Sequence, residues 1–176
     1  CATATCSFTI EVVDKFHLDI SATSVLPGRN ATVYLSVNGS EEIGGFDLLI
    51  TYDPTIAFLE ATPMGDLLDW EYFTYRKSEQ DNCGGGCPTG VLRLIGIANL
   101  PDGSTPDESI YTPSGDIVAL TFATPESFNY LNQCFHLNWT WFDCGDNTMS
   151  NRLGDILFIT EDLGFLPDPE CLEGFK

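Results

Sequence analysis

Alternation with a period of two runs through this chain, and a chain patterned that way buries its apolar residues as β-strands. Residues 32–37 place Val33, Leu35 and Val37 on one face. Residues 46–52 turn Phe46, Leu48, Ile50 and Tyr52 inward and Asp47, Leu49 and Thr51 outward. Residues 91–98 set Leu92, Leu94 and Ala98 against Val91, Arg93, Ile95 and Ile97. Further strands are expected at 8–12, at 117–122 (Val118, Leu120, Phe122), at 135–141 (Phe135, Leu137, Trp139, Trp141) and at 156–160. Between them stand Pro27-Gly28, Asn38-Gly39, Asp53-Pro54, Asp102-Gly103, Ser114-Gly115 and Cys144-Gly145-Asp146-Asn147, which are turn sequences. No helical stripe exceeds about a turn; residues 55–59 and 125–131 are short-turn candidates. Short strands without βαβ spacing predict an antiparallel β-sandwich or barrel.

Charge removes several functions. With 26 acidic and 7 basic side chains the formal net charge is -19. That balance opposes binding to a phosphate backbone or an anionic bilayer surface. No apolar run is long enough for membrane insertion. The 43% hydrophobic content separates the chain from disordered acidic tails. At 176 residues, one domain spanning 1–176 is expected, with a core over 8–160 and a C-terminal extension over 161–176.

Seven cysteines and three N-x-S/T triplets, at Asn30, Asn38 and Asn138, suit an extracellular or cell-surface glycoprotein. Cys83 and Cys87 enclose three glycines, which fits a small disulfide-closed loop and not a CxxC redox or zinc motif. Cys134 and Cys144 flank an expected strand whose ends lie more than about 20 Å apart, beyond disulfide reach. Long-range bridges among Cys6, Cys134, Cys144 and Cys171 are therefore expected, with the connectivity open. Cys1 is then left for an intermolecular bond or a lipid, unless it marks only where the sequence starts. No secretory leader precedes it, so a mature chain or an excised module is expected.

Pro27-Gly28, the strand at 31–37 and the run Ile43-Gly-Gly-Phe-Asp-Leu-Leu-Ile-Thr-Tyr-Asp-Pro54 resemble cohesin domains. The resemblance extends in order through Phe58-Leu59-Glu60, Gly65-Asp66-Leu67, the strand after Gly90, and Gly115-Asp116-Ile117, covering about residues 8–125. It implies a nine-stranded jelly-roll sandwich without catalytic activity that binds a dockerin module or otherwise joins proteins outside the cell. It also implies a binding role for Asp47, while the family's asparagine two residues earlier is replaced by Gly45. The cysteine-rich loop and the segment from Cys134 onward are additions to the family pattern.

Three surfaces compete as sites. Asp47, Leu49 and Thr51 with Arg93, Ile95 and Ile97 would make an apolar outer face around one acid and one arginine, which suits a protein partner unless the C-terminal segment covers it as additional core. Asp143, Asp146, Asn147 and Asp155 gather oxygen ligands of the kind calcium takes, as do Asp102, Asp107 and Glu108, although neither group has EF-hand spacing and a solvated turn explains both. Trp70, Tyr72 and Tyr75 are the candidates for stacking on a sugar, whereas Trp139 and Trp141 are expected in the core. Neither His17 nor His136 lies near a nucleophile-elbow sequence, so an enzyme is not expected.

The sequence thus describes a non-catalytic secreted assembly module. It would dock a dockerin-like partner or polymerise as identical subunits in a filament or surface structure, an end strand pairing with the open sheet edge of the next subunit. The alternative is a carbohydrate-binding β-sandwich with a glycan ligand.

Overall fold

The computed structural model describes residues 16–39, 41–77, 89–99, 108–130, 133–140, 146–157 and 170–174. Among the described residues twelve strands follow in chain order: β1 (Phe16–Ile20), β2 (Thr23–Val25), β3 (Asn30–Gly39), β4 (Gly45–Tyr52), β5 (Ala57–Pro63), β6 (Tyr72–Lys77), β7 (Val91–Ile97), β8 (Gly115–Ala123), β9 (Cys134–Trp139), β10 (Thr148–Ser150), β11 (Ile156–Leu157) and β12 (Glu170–Gly174). One sheet has four strands in the order β1-β3-β8-β5. The other runs β11-β10-β4-β9-β12-β2, with β7 also on β4 and β6 on β7. Every described pairing is antiparallel except that of β12 with β2. The expected all-β sandwich is present.

Between the sheets the alternation reads as foreseen. Val33, Leu35 and Val37 of β3 and Val118, Leu120 and Phe122 of β8 meet Phe46, Leu48 and Ile50 of β4 and Leu92 and Leu94 of β7 in one buried cluster. Each such side chain contributes about 1.5–3 kcal/mol by leaving water, which offsets the entropy of ordering the strands. Phe58 sits edge-on to Tyr75 and Phe122, at 5.3 and 5.5 Å between ring centroids.

Where the alternation breaks, a bulge explains it. β5 pairs Phe58 with Phe122 and Glu60 with Thr121, leaving Leu59 as the extra residue and bringing Ala61 back inward. Residues 55–59 thus contain a turn, with the Ile56 N–H donating to the Asp53 carbonyl at 3.1 Å, but a strand already begins at Ala57. In β8 the register slips between Val118 and Asp116, so Ile117 and Val118 are adjacent and both buried. A 3₁₀ turn at Phe128–Tyr130 meets the expectation for 125–131.

The stretch expected as a C-terminal extension supplies β12, inserted between β9 and β2. The expected strand at 8–12, Trp141 and residues 158–160 lie outside the described residues. So do Cys1, Cys6, Cys83, Cys87 and Cys144; Cys134 is disulfide-bonded and Cys171 belongs to β12. Gly90, at φ +86, brings the chain to within hydrogen-bonding distance of β4, where the Tyr52 N–H donates to the Gly90 carbonyl at 2.7 Å. A Cβ there would stand 2.6 Å from the Tyr52 carbonyl oxygen, so only glycine suits the approach.

Candidate functional site

β4 organises the outer face of the larger sheet. Along one flank it pairs with β7 from Gly45–Ile97 to Thr51–Val91, and β7 in turn pairs with β6. Along the other flank it meets β10 beside Gly45, Phe46 and Asp47, and β9 beside Ile50, Thr51 and Tyr52. Directly opposed residues share a face, so the outward side chains fall into rows across the strands. One row is Thr74, Ile95, Asp47 and Thr148; the next carries Arg76, Arg93 and Leu49.

Asp47 and Arg93 are diagonal neighbours across β4 and β7. The Arg93 Nε donates to Asp47 Oδ1 at 2.7 Å and its Nη2 to Oδ2 at 2.5 Å, a two-pronged contact on the partly exposed face. The pair fixes both side chains and cancels their charges locally. Ile95, Ile97 and Thr51 are also half-exposed, so five of the six expected contact residues are gathered on one accessible face. Leu49 differs. It points outward but retains only 2% exposure, and Val91, also outward, retains 3%. Neither belongs to the buried cluster between the sheets. This end of the outer face is covered, and Leu49 is not presented to a partner here.

At the junction of β9 and β10 the ladder is completed by a side chain. The Leu49 N–H donates to Asn147 Oδ1 at 2.7 Å, and Asn147 Nδ2 donates to the Thr140 carbonyl at 2.7 Å. Thr140 N–H donates to the Leu49 carbonyl at 3.1 Å, so the backbone at Leu49 is bonded in both directions. Asn147 does this from φ +53, a conformation that asparagine tolerates better than most residues. Nothing in its sequence context separates this use from a metal-ligand role.

The other expected sites are described only in part. Asp146 is buried beside Asn147, while Asp155 is exposed and closes a turn with Asn151, its N–H donating to Asn151 Oδ1 at 2.9 Å. Asp143, Asp102 and Asp107 lie outside the described residues. Among the described residues, no group of three or more His, Cys, Asp or Glu is arranged to hold a metal ion. Asn30 and Asn38 are exposed at the two ends of β3, on the smaller sheet; Asn138 is exposed on β9, in register with Thr51.

Trp70 corrects the proposed aromatic platform. It is 7% exposed, lies 5.4 Å from Phe46 between ring centroids, and its Nε1–H donates to the Ile110 carbonyl at 2.9 Å. Tyr75 packs on the core as well, leaving Tyr72 as the exposed member of the three. Trp139 is half-buried against the core, as expected. Ile156 and Ser150, which complete the outer face beyond β4, carried no functional signal in sequence because their position depends on β10 and β11 joining this sheet.

No protein-family model and no curated protein matches the chain. Solved structures do. The sixth cohesin of scaffoldin B from Acetivibrio cellulolyticus, solved with a Cel5 dockerin, aligns at TM-score 0.61 and 17% identity over 81% of this chain and 90% of that one. The OlpA cohesin of Clostridium thermocellum, also solved with a dockerin, aligns at TM-score 0.62 and 14% identity over 91% and 96%. A non-cellulosomal cohesin from the archaeon Archaeoglobus fulgidus aligns at 0.58 and 10% over 82% and 83%. The fold is cohesin-like.

Proposed function

We propose that this chain is a non-catalytic docking module that holds a protein partner on the outer face of β6, β7, β4 and β10. The observation that carries the reading is the half-exposed Asp47–Arg93 pair flanked by Ile95 and Ile97 on a cohesin-like sandwich. An ordered charge pair supplies orientation, and adjacent apolar surface supplies the driving force for association. The structural neighbours solved with dockerins support a dockerin-like module as the partner. Pairing of an end strand with the open sheet edge of the next identical subunit, giving a filament, is the second route to assembly. The cysteine content and the sequons support an extracellular or cell-surface setting, and calcium bridging the acidic loops would relieve repulsion in so acidic a chain.

Titration calorimetry of the purified chain against a panel of dockerins tests docking. Saturable binding weakened at least tenfold by Asp47→Ala is expected, and no binding by any dockerin counts against a dockerin partner. Sedimentation across a hundredfold concentration range tests self-assembly. A strict monomer that also takes no protein partner defeats the assembly reading as a whole. Glycopeptide mapping of natural material at Asn30, Asn38 and Asn138 tests the secretory route.

A further inference from the structure

The outermost row of this face crosses five strands: Tyr72 on β6, Ile97 on β7, Gly45 on β4, Ser150 on β10 and Ile156 on β11. Its centre is low because Gly45 has no side chain and Ser150 a short one. Its walls are apolar, Ile97 on one side and Ile156, 67% exposed, on the other. A depression of about 230 Å³ results, bounded by Asp47 and Thr148 along the strands. The two glycines here serve different ends. Gly96 faces the core, where a Cβ would lie 2.6 Å from the Phe46 ring, so packing requires it. Gly45 faces outward, and a Cβ there would meet the Gly96 carbonyl oxygen at 3.2 Å and project into the depression.

We propose that this depression is a socket for one leucine-sized apolar side chain carried on a basic segment of a partner protein. The inference deepens the docking reading and rests on it. Apolar walls over a glycine floor suit a branched aliphatic side chain, which gains by leaving water and has no polar group to satisfy. The charge of the occupant follows from the charge of the host. The ion pairs nearest the socket, Arg93 with Asp47 and Arg152 with Glu42 at 3.1 Å, each cancel one charge of either sign, so the field at the socket is set by the net charge of -19 over the whole chain. A basic segment is attracted to a molecule of this charge, whereas a second copy, itself at -19, is the less favoured occupant of the socket; pairing of sheet edges between copies would use a different part of the fold. At the far end of the face Leu49 and Val91 are covered, so the accessible apolar side chains lie toward Gly45 and the footprint is displaced in that direction.

The test uses the whole chain with isoleucine methyl groups isotope-labelled, titrated with the blocked tripeptides Lys-Leu-Lys, Lys-Ser-Lys and Glu-Leu-Glu. Lys-Leu-Lys is expected to shift the Ile97 and Ile156 methyl signals saturably, and the other two to bind at least tenfold more weakly. Gly45→Val should abolish the response. Ile156→Ser, at an exposed position that leaves the core untouched, should weaken it at least tenfold and guards against misfolding of the glycine variant. Unmoved methyls, equal responses to leucine and serine peptides, or indifference to Ile156→Ser overturns the socket. So does a shift of these methyls with the chain's own concentration, which would make a second copy the occupant. Because the titration needs no natural partner, its failure is distinct from failure of docking: a partner bound equally well by wild type and Ile156→Ser defeats the socket and leaves docking intact.

Discussion

The two outer faces of this sandwich are built from the same alternating sequence pattern and behave differently. On the smaller sheet Thr32, Tyr34 and Ser36 of β3, Ala119 and Thr121 of β8, and Glu60 and Thr62 of β5 all keep contact with solvent. On the larger sheet Leu49 and Val91 point away from the core and are nonetheless buried, while Ile97, Tyr72 and Ile156 stand open a few residues away. An antiparallel sheet with one solvated face needs only polar or small residues there. A face carrying both covered and open apolar positions has a further task. The difference is the physical ground on which the proposed docking face is assigned to the larger sheet.

Mutations can break this comparison. The reference is an inward position shared by neither outer face: Phe122→Ala should cost about 3–5 kcal/mol in denaturant unfolding, because it empties the aromatic cluster. Leu49→Ala should cost about 2–4 kcal/mol although the residue points outward, whereas the outward Thr121→Ala on the smaller sheet should stay within about 0.5 kcal/mol. Equal, small effects at both positions would erase the distinction between the faces.

A third substitution sharpens the comparison at its seam. Asn147→Ala removes the acceptor for the Leu49 N–H and replaces a residue that tolerates positive φ with one that does so less well, for a combined loss of about 2 kcal/mol. Asn147→Gly loses the same two hydrogen bonds but takes positive φ freely, so it should lose less than alanine. If both variants unfold like the unmodified chain, the side-chain bridge is not what holds β4 to the β9–β10 junction. Calcium is expected to have the smallest effect. Saturation at about ten times Kd adds about 1.4 kcal/mol, so excess chelator should lower Tm by about 3–5 °C. An unchanged Tm counts against the acidic loops as a calcium site.

Legibility in the sequence followed the locality of each signal. β3, β4, β7 and β8 were readable with their inward residues because side-chain direction alternates within a strand whatever it pairs with. β5 was hidden by the bulge at Leu59, which interrupts the period that reveals a strand. Trp70 read as one of a cluster with Tyr72 and Tyr75, yet its indole bonds to Ile110, 40 residues away, a partner that no local pattern announces. Asn147 stood among acidic turn residues and read as a ligand, because the carbonyl and N–H it serves belong to Thr140 and Leu49.

By itself the sequence determined the all-β class, the inward face of its principal strands and the presence of Asp47 and Arg93 on an outward one. These are properties of residue order and a two-residue period. Only the tertiary structure decided that β10 and β11 join β4, that Leu49 is covered, and that Gly45 lies between two isoleucines 59 residues apart in sequence. Strand neighbours and registers are set by long-range packing, so a recess shared by β7, β4, β10 and β11 exists only once the sheet has closed around it.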